Sequence, residues 1–100
     1  MRPARYGLRM PAQVAKSIRG LHPQIKRKVR AALEVIIGDP RAGKALKADL
    51  AGLWSFRVGK LRIVYRLNER PAAGRCVELN ACGPRERIYE ETYRLIRRER

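Results

Sequence analysis

The sequence contains few of the residues that carry metal and redox chemistry. Its 100 residues include one histidine, His22, and two cysteines, Cys76 and Cys82. Both cysteines fall in one predicted strand, where a rise of about 3.4 Å per residue would place their Cα atoms roughly 20 Å apart. A disulfide needs a separation of about 4.4–6.8 Å, so we expect two reduced thiols. With a single histidine and no CxxC pair, the chain offers no zinc ligand set, and we expect no metal or other cofactor.

Long apolar runs are also missing. No stretch approaches the roughly 18–20 apolar residues that span a bilayer, and the N-terminal segment 1–16 lacks the apolar region of a signal peptide. We therefore expect a cytoplasmic protein with no membrane partner. Hydrophobic residues still make up 45% of the chain, which is enough to bury a core. The length suits one domain, which we expect to span residues 1–100.

Acidic residues are scarce. The chain has 9 Asp and Glu residues against 24 Lys and Arg residues, a net charge of +15. So large a surplus on a small domain creates a strong positive field, which indicates an acidic partner such as nucleic acid, an anionic membrane or an acidic protein. Preference for arginine codons in the genome would also raise the charge. The distribution of the basic residues must therefore decide between these interpretations.

The first part of the chain predicts a short strand and two helices. Residues 4–10 alternate weakly in polarity, as a first strand would. Pro11 suits the first turn of a helix that runs to about Arg19, and Gly20 ends that helix. A second, longer helix follows after a short turn. The two helices form an αα-hairpin.

Residues 23–38 are the clearest helix of the sequence. Pro23 suits the first helical position, and Gly38 suits its end. An apolar stripe follows the 3.6-residue period and consists of Ile25, Val29, Ala32, Leu33 and Ile36. The basic residues of this helix fall mainly on the opposite side and are Lys26, Arg27, Lys28 and Arg30. A solvated helix face is the preferred interpretation of these four residues, with phosphate binding as the alternative.

The second half predicts a sheet. Residues 39–52 form a connector with a small apolar insert at Leu46 and Leu50. Three strands follow, over about 53–58, 61–68 and 76–82, and residues 85–100 predict a last helix. The predicted order is β-αα-βββ-α. We therefore expect a compact α+β domain whose mostly antiparallel sheet has helices packed on one face and leaves the other face free.

The hairpin at residues 54–68 carries an unusual charge pattern. Gly59-Lys60 matches the glycine-first loop of a type II′ turn, which sets Arg57 directly opposite Arg62. Side chains alternate between the two faces of a strand. The face predicted as core carries Trp54, Phe56, Val58, Leu61, Ile63 and Tyr65. The other face carries Ser55, Arg57, Arg62, Val64 and Arg66.

Opposed like charges destabilise a sheet by up to about 1 kcal/mol. A bound phosphate would reverse the sign of that effect, because two guanidinium groups can grip it from two directions. The alternative is a solvated face on which the arginines splay apart or pair with Glu78. Our hypothesis is that Arg57 and Arg62, with Arg66 beside them, form a face that holds a polyanion.

Two stretches resemble a known family. They are KALKADLAGLWSFRVGKLRIVYRL (44–67) and CGPRERIYEE (82–91), and they are similar to the RelE/ParE superfamily of bacterial type II toxins. The resemblance covers the second half of the chain closely, whereas the first half agrees in helix order and length. It implies a RelE-like fold and one of two activities. RelE-like members cleave messenger RNA in the decoding site of the ribosome, and ParE-like members poison DNA gyrase. An acidic, partly disordered antitoxin restrains both kinds.

The resemblance also implies a set of site residues. The catalytic candidates that match the family pattern are Arg57, Arg62, Arg85 and Tyr89. RelE has two catalytic lysines on the strand before the hairpin turn, and this sequence has Leu53 and Ser55 in those places. The candidates to bind nucleic acid are nearby basic residues: Lys44, Lys47, Lys60, Arg66 and Arg87. Among them, Lys44, Lys47 or Lys60 would compensate for the missing lysines.

The implied reaction needs no metal. The 2′-OH of the RNA attacks the adjacent phosphate, and cations stabilise the charge that builds on phosphorus. Tyr89 is the candidate base if the arginines favour its phenolate over a usual pKa of about 10, and Arg62 and Arg85 would hold the phosphate. No residue is assigned as the acid.

The expected partners are an acidic antitoxin, the ribosome and messenger RNA. Gyrase replaces the last two for a ParE-like inhibitor, and a degenerate member would bind its antitoxin alone.

Overall fold

The structure, a computed structural model, describes residues 6–70 and 74–84. The predicted last helix, 85–100, lies outside the described residues. Within them, the chain forms two α-helices, two short 3-10 helices (Pro40–Ala42 and Ala48–Leu50) and five strands. No helix in this part of the chain is long and apolar enough to cross a membrane.

The two helices begin and end where the sequence predicts. Helix α1 spans Ala12–Arg19 and helix α2 spans Pro23–Gly38. Before α2, the His22 side chain caps the helix by accepting a hydrogen bond from the backbone N–H of Gln24 at 3.2 Å. The buried helical residues are Val14 of α1 and Val29, Ala32, Leu33 and Ile36 of α2. Ile25 was expected in this stripe but is 38% exposed, since it lies in the first turn of α2.

The strands form one mostly antiparallel sheet, which confirms the predicted α+β fold. They are β1 (Gly7–Arg9), β2 (Lys44–Ala45), β3 (Leu53–Val58), β4 (Leu61–Arg70) and β5 (Gly74–Pro84). Their order across the sheet is β1-β5-β4-β3-β2. The pair β1–β5 is parallel, and the three other pairs are antiparallel. Strand β2 was not predicted, because it is a two-residue strand inside the expected connector.

The register of the β3–β4 hairpin is the predicted one. Val58 pairs with Leu61, and Arg57 pairs with Arg62. Gly59 has a φ of 58°, which is the left-handed conformation that the first turn residue of a type II′ hairpin adopts. The turn therefore fixes which hairpin residues face the helices.

The main core lies between the helices and one face of the sheet. The buried sheet residues that contribute to it are Val58, Ile63, Tyr65, Val77 and Leu79. Trp54 and Phe56 are half-buried and pack against the same cluster. Trp54 thus belongs to the core, as expected.

The second face of the sheet is not free, which corrects the prediction. Leu53, Val64 and Ala81 lie on three neighbouring strands and are buried on this face. Leu46 and Leu50 from the connector pack over them. Apolar side chains on adjacent strands form a surface that is stabilised when it is removed from water, and the connector supplies the cover.

Tyr65 binds the connector from the face of the sheet that the helices cover. This side chain is fully buried, and its hydroxyl donates a hydrogen bond to the carbonyl oxygen of Pro40 at 2.5 Å. The backbone amide of Gly43 donates to the same phenol oxygen. A Cβ atom on Gly43 would overlap the Tyr65 hydroxyl and lie 2.8 Å from the carbonyl oxygen of Ser55. Gly43 is therefore required by close approach of the tyrosine.

Replacing Gly43 by alanine should destabilise the fold. The added methyl group must displace the Tyr65 hydroxyl or the β3 backbone, and overpacking of this kind costs about 1–3 kcal/mol. Urea unfolding measures the change in the free energy of unfolding. The control is Gly38→Ala, since a Cβ there meets no atom within 4 Å. Equal stability of the two variants would contradict the close contact at Gly43.

Tyr65 should make stability depend on pH in the alkaline range. Burial raises the pKa of Tyr65 from 10.0 to about 12, and the charge of Asp39 acts in the same direction. The folded state therefore holds the proton more tightly than the unfolded state. Its stabilising effect is complete below pH 10 and is lost as the pH rises through 12.

The comparison with Tyr65→Phe isolates this effect from other titrating groups. At neutral pH the variant is expected to be less stable, because the carbonyl of Pro40 and the amide of Gly43 lose their partner. As the pH rises from 10 through 12, the free energy of unfolding of the wild type should fall by about 2–3 kcal/mol relative to that of the variant. Urea unfolding at a series of pH values measures the difference. A constant difference would contradict the raised pKa.

Candidate anion-binding site

The predicted arginine pair lies at the turn end of the β3–β4 hairpin, on the sheet face away from the helices. Arg57 is exposed and Arg62 is half-buried. The Nε of Arg57 donates a hydrogen bond to the carbonyl oxygen of Gly59 at 3.2 Å, which holds this guanidinium group near the turn. On the third strand, Arg62 pairs with Gly83, which has no side chain to cover it. The two charges thus remain open to solvent.

Lys44 lines the same depression as the two arginines. Strand β2 pairs Lys44 with Ser55, next to Arg57 on β3. An open depression of about 340 Å³ lies at this place, lined by Ala42, Gly43, Lys44, Ser55, Phe56, Arg57 and Arg62. Among these lining residues three are cationic and none is acidic. The arrangement suits a phosphate group, which charge-assisted hydrogen bonds from several sides would hold.

The two positions at which the family resemblance implies lysine are buried in this structure. Leu53 belongs to the cluster on the second face of the sheet and is 1% exposed, and Ser55 is 2% exposed. Lys44 pairs with Ser55 across β2 and β3, so a lysine lies on the neighbouring strand beside one of these two positions. Lys47 and Lys60 are exposed and do not line the depression.

Arg66 belongs to a different group of side chains. It shares the face of Arg62, but its partner on β5 is Glu78. Glu78 also accepts a hydrogen bond from the Asn68 side chain at 3.1 Å and lies 4.0 Å from the Arg9 guanidinium. Arg66 and Glu78 line a second depression, of about 280 Å³. The structure therefore does not bring Arg66 together with the arginine pair.

Three predicted site residues, Arg85, Arg87 and Tyr89, lie outside the described residues. Their roles stay predictions. The last described residue, Pro84, pairs with Leu61, the neighbour of Arg62. Strand β5 therefore ends at the same end of the sheet as the arginine pair.

The potential metal ligands in the described part of the chain are dispersed. There, no group of three or more His, Cys, Asp or Glu side chains could hold a metal ion. Cys76 and Cys82 are both free and lie in the same strand, as predicted. Burial raises the pKa of the Cys82 thiol, which favours its unreactive protonated form.

The opposed arginines should lower the stability of the free protein. Arg62→Gln removes one of two like charges across the hairpin and is expected to raise the free energy of unfolding, by a few tenths to about 1 kcal/mol. Arg66→Gln, on the same strand and face, removes a charge that opposes Glu78 and should lower it by a similar amount. Urea unfolding at low and high salt measures both changes, and salt should reduce them. A stability change of the same sign in both variants would contradict the register argument.

The chain is similar to known bacterial toxins in sequence and in fold. The family model described as the ParE-like toxin of type II bacterial toxin-antitoxin systems matches residues 8–93. A chain of the toxin–antitoxin complex RelBE2 from Mycobacterium tuberculosis is 27% identical, with a TM-score of 0.71, and the match covers 82% of this chain and 100% of that chain. A mutant of the Escherichia coli toxin RelE, solved in the free state, is 19% identical, with a TM-score of 0.74 and coverage of 93% and 99%.

A third structure, the YoeB–YefM complex from Staphylococcus aureus, is 18% identical, with a TM-score of 0.63 and coverage of 80% and 97%. No curated protein sequence matches this one at a significant level. The two matches below 25% identity support the fold. The family match spans most of the sequence, and the chain thus belongs to the ParE-like toxins of bacterial type II toxin–antitoxin systems.

Proposed function

We propose that this toxin cleaves messenger RNA on the ribosome, and that Lys44, Arg57 and Arg62 hold the phosphate at which cleavage occurs. The observation that carries the proposal is the opposed arginine pair, which lies in an open depression with Lys44 beside it. Like charges held together in this way disfavour the empty site and favour an occupied one.

The three cations suit the charge that the reaction develops. When the 2′-OH of RNA attacks the adjacent phosphate, negative charge accumulates on the oxygens bound to phosphorus. Preorganised cations stabilise that charge most strongly where they already surround the reacting group. The guanidinium groups can bind two oxygens each, whereas the ammonium group of Lys44 acts as a compact charge.

Lys44 is also the candidate proton donor to the departing 5′-oxygen. An arginine side chain is a poor donor because its pKa exceeds about 12, whereas an ammonium group can give up a proton. The base remains Tyr89, as the family resemblance implies. Tyr65 does not suit that role, since it is fully buried and its hydroxyl is bound to the carbonyl oxygen of Pro40.

We further propose an acidic antitoxin as the physiological partner. The RelBE2 and YoeB–YefM structures are complexes of such pairs, and the net charge of +15 favours an acidic segment over a neutral one. Association should be fast and sensitive to salt. Binding to the ribosome would draw on the same positive surface, because it neutralises phosphates of ribosomal RNA.

A second candidate function is inhibition of DNA gyrase by protein–protein contact. Two observations favour it: the matching family is described as ParE-like, and Leu53 and Ser55 occupy the two lysine positions of RelE as buried residues. An inhibitor of this kind needs no catalytic cations. The two functions therefore differ in their dependence on Lys44.

The test combines purified ribosomes that translate a defined message with a gyrase supercoiling assay. The proposal expects the message to be cut during translation while supercoiling stays normal. Single changes of Lys44, Arg57 or Arg62 to glutamine should lower the cleavage rate about 100-fold to 1,000-fold, because each removes a charge that stabilises the transition state.

The matched control is Arg30→Gln, an exposed arginine on α2, which should cut at the wild-type rate. Gyrase arrest with intact messages would support the second candidate instead. Cleavage that survives all three changes in the depression would overturn the assignment of the site.

A further inference from the structure

Lys44 lines the same depression as the arginine pair. The backbone segment just before Lys44 is held in place by Tyr65. Tyr65 lies on β4, opposite Trp54 of β3, which in turn pairs with Ala45 of β2. Its side chain therefore crosses β3 to reach the connector just before β2. There the phenol oxygen bridges two backbone groups, the carbonyl of Pro40 and the amide of Gly43. Lys44 is the next residue in the chain.

We infer that Tyr65 is the positioning residue of the anion site, because its hydroxyl fixes the backbone that presents Lys44 to Arg57 and Arg62. The inference deepens the proposed function and rests on it for the role of Lys44 toward RNA. Tyr65 itself does not line the depression. It acts through the backbone at Pro40 and Gly43, and thereby on Lys44.

Strand β2 needs such a support. It is two residues long and lies at the edge of the sheet, where short pairings are weak on their own. A lysine side chain is long and rich in rotamers, so a backbone that frays would leave its ammonium group far from the arginines for much of the time. Two anchors flank the strand instead. Tyr65 holds its start, and the backbone bond from Leu46 to Leu53, at 2.9 Å, holds its end.

Gly43 shows how closely the two elements fit. The tyrosine oxygen occupies the space that any side chain at this position would take. A looser arrangement would leave room for a Cβ atom. The contact thus sets the distance between the tyrosine and the backbone of β2, and with it the starting point of the Lys44 side chain.

Tyr65→Phe tests the inference, since it keeps the aromatic ring in the core and removes the hydroxyl. The probe is inorganic phosphate, and the readout is the NMR signal of the Lys44 side-chain methylene next to nitrogen together with the Nε signals of Arg57 and Arg62. In the wild type, phosphate should shift all three. The measurement is made well below the unfolding temperature of the variant. In Tyr65→Phe, the arginine signals should still shift, whereas the shift of the Lys44 signal should fall to less than half of its wild-type value.

A double-mutant cycle with single-stranded RNA gives a second readout. Lys44→Ala should weaken RNA binding about tenfold, the size of one hydrogen bond to a charged group, and should flatten the dependence of log K on log salt by about 0.7. Tyr65→Phe should produce most of both effects. It should add nothing further in a Lys44→Ala background, because it acts through Lys44.

The matched control is Lys47→Ala, a change in the same connector but outside the depression. Its effect on binding should add to that of Tyr65→Phe. Additive effects of Tyr65→Phe and Lys44→Ala would mean that the tyrosine is merely structural, and an unchanged Lys44 response to phosphate in Tyr65→Phe would overturn the inference. Both outcomes are distinct from failure of the proposed function, which would appear as intact messages on ribosomes while the phosphate response of Lys44 still depends on Tyr65.

Discussion

The register of the β3–β4 hairpin is the constraint on which the rest of the structure depends. A two-residue turn at Gly59 fixes it, and a slip of one residue would turn the side chains of one strand to the opposite face of the sheet. In the observed register, Ile63 and Tyr65 enter the main core, while Arg57 and Arg62 remain on the opposite face. The hydrophobic core therefore holds the like charges together, since separating them would expose apolar side chains.

The two faces of the sheet have different roles: one packs in the main core, and the other carries the arginine pair. The helices cover one face, and a small apolar cluster under Leu46 and Leu50 covers the middle of the other. That cluster separates the arginine pair from the acidic residue Glu78, which lies with Arg66 and Arg9. Separation matters because Glu78 would otherwise compete with phosphate for the guanidinium groups. The connector thus serves both stability and the composition of the site.

Local signals in the sequence predict the helices and the hairpin well. Proline and glycine mark both ends of α2, and the Gly59-Lys60 turn with strict alternation defines the opposed pair Arg57 and Arg62. The sequence does not predict β2, because two residues carry no periodicity. Nor does it predict the role of Tyr65, since the partners of its hydroxyl lie more than twenty positions earlier. The cover over the second face was missed because Leu46 and Leu50 belong to no periodic pattern that shows the face on which they pack.

The parallel pairing of β1 with β5 has a consequence for biosynthesis. Residues 7–9 pair with residues 76–78. Strand β1 therefore cannot pair with β5 until most of the polypeptide has left the ribosomal tunnel. The elements that carry the cationic depression are contiguous in the sequence, from β2 to β4, and close a short loop that forms rapidly. Vectorial synthesis therefore permits the charged depression to assemble while the sheet edge is still incomplete, and the final closure depends on a contact between the two ends of the described chain.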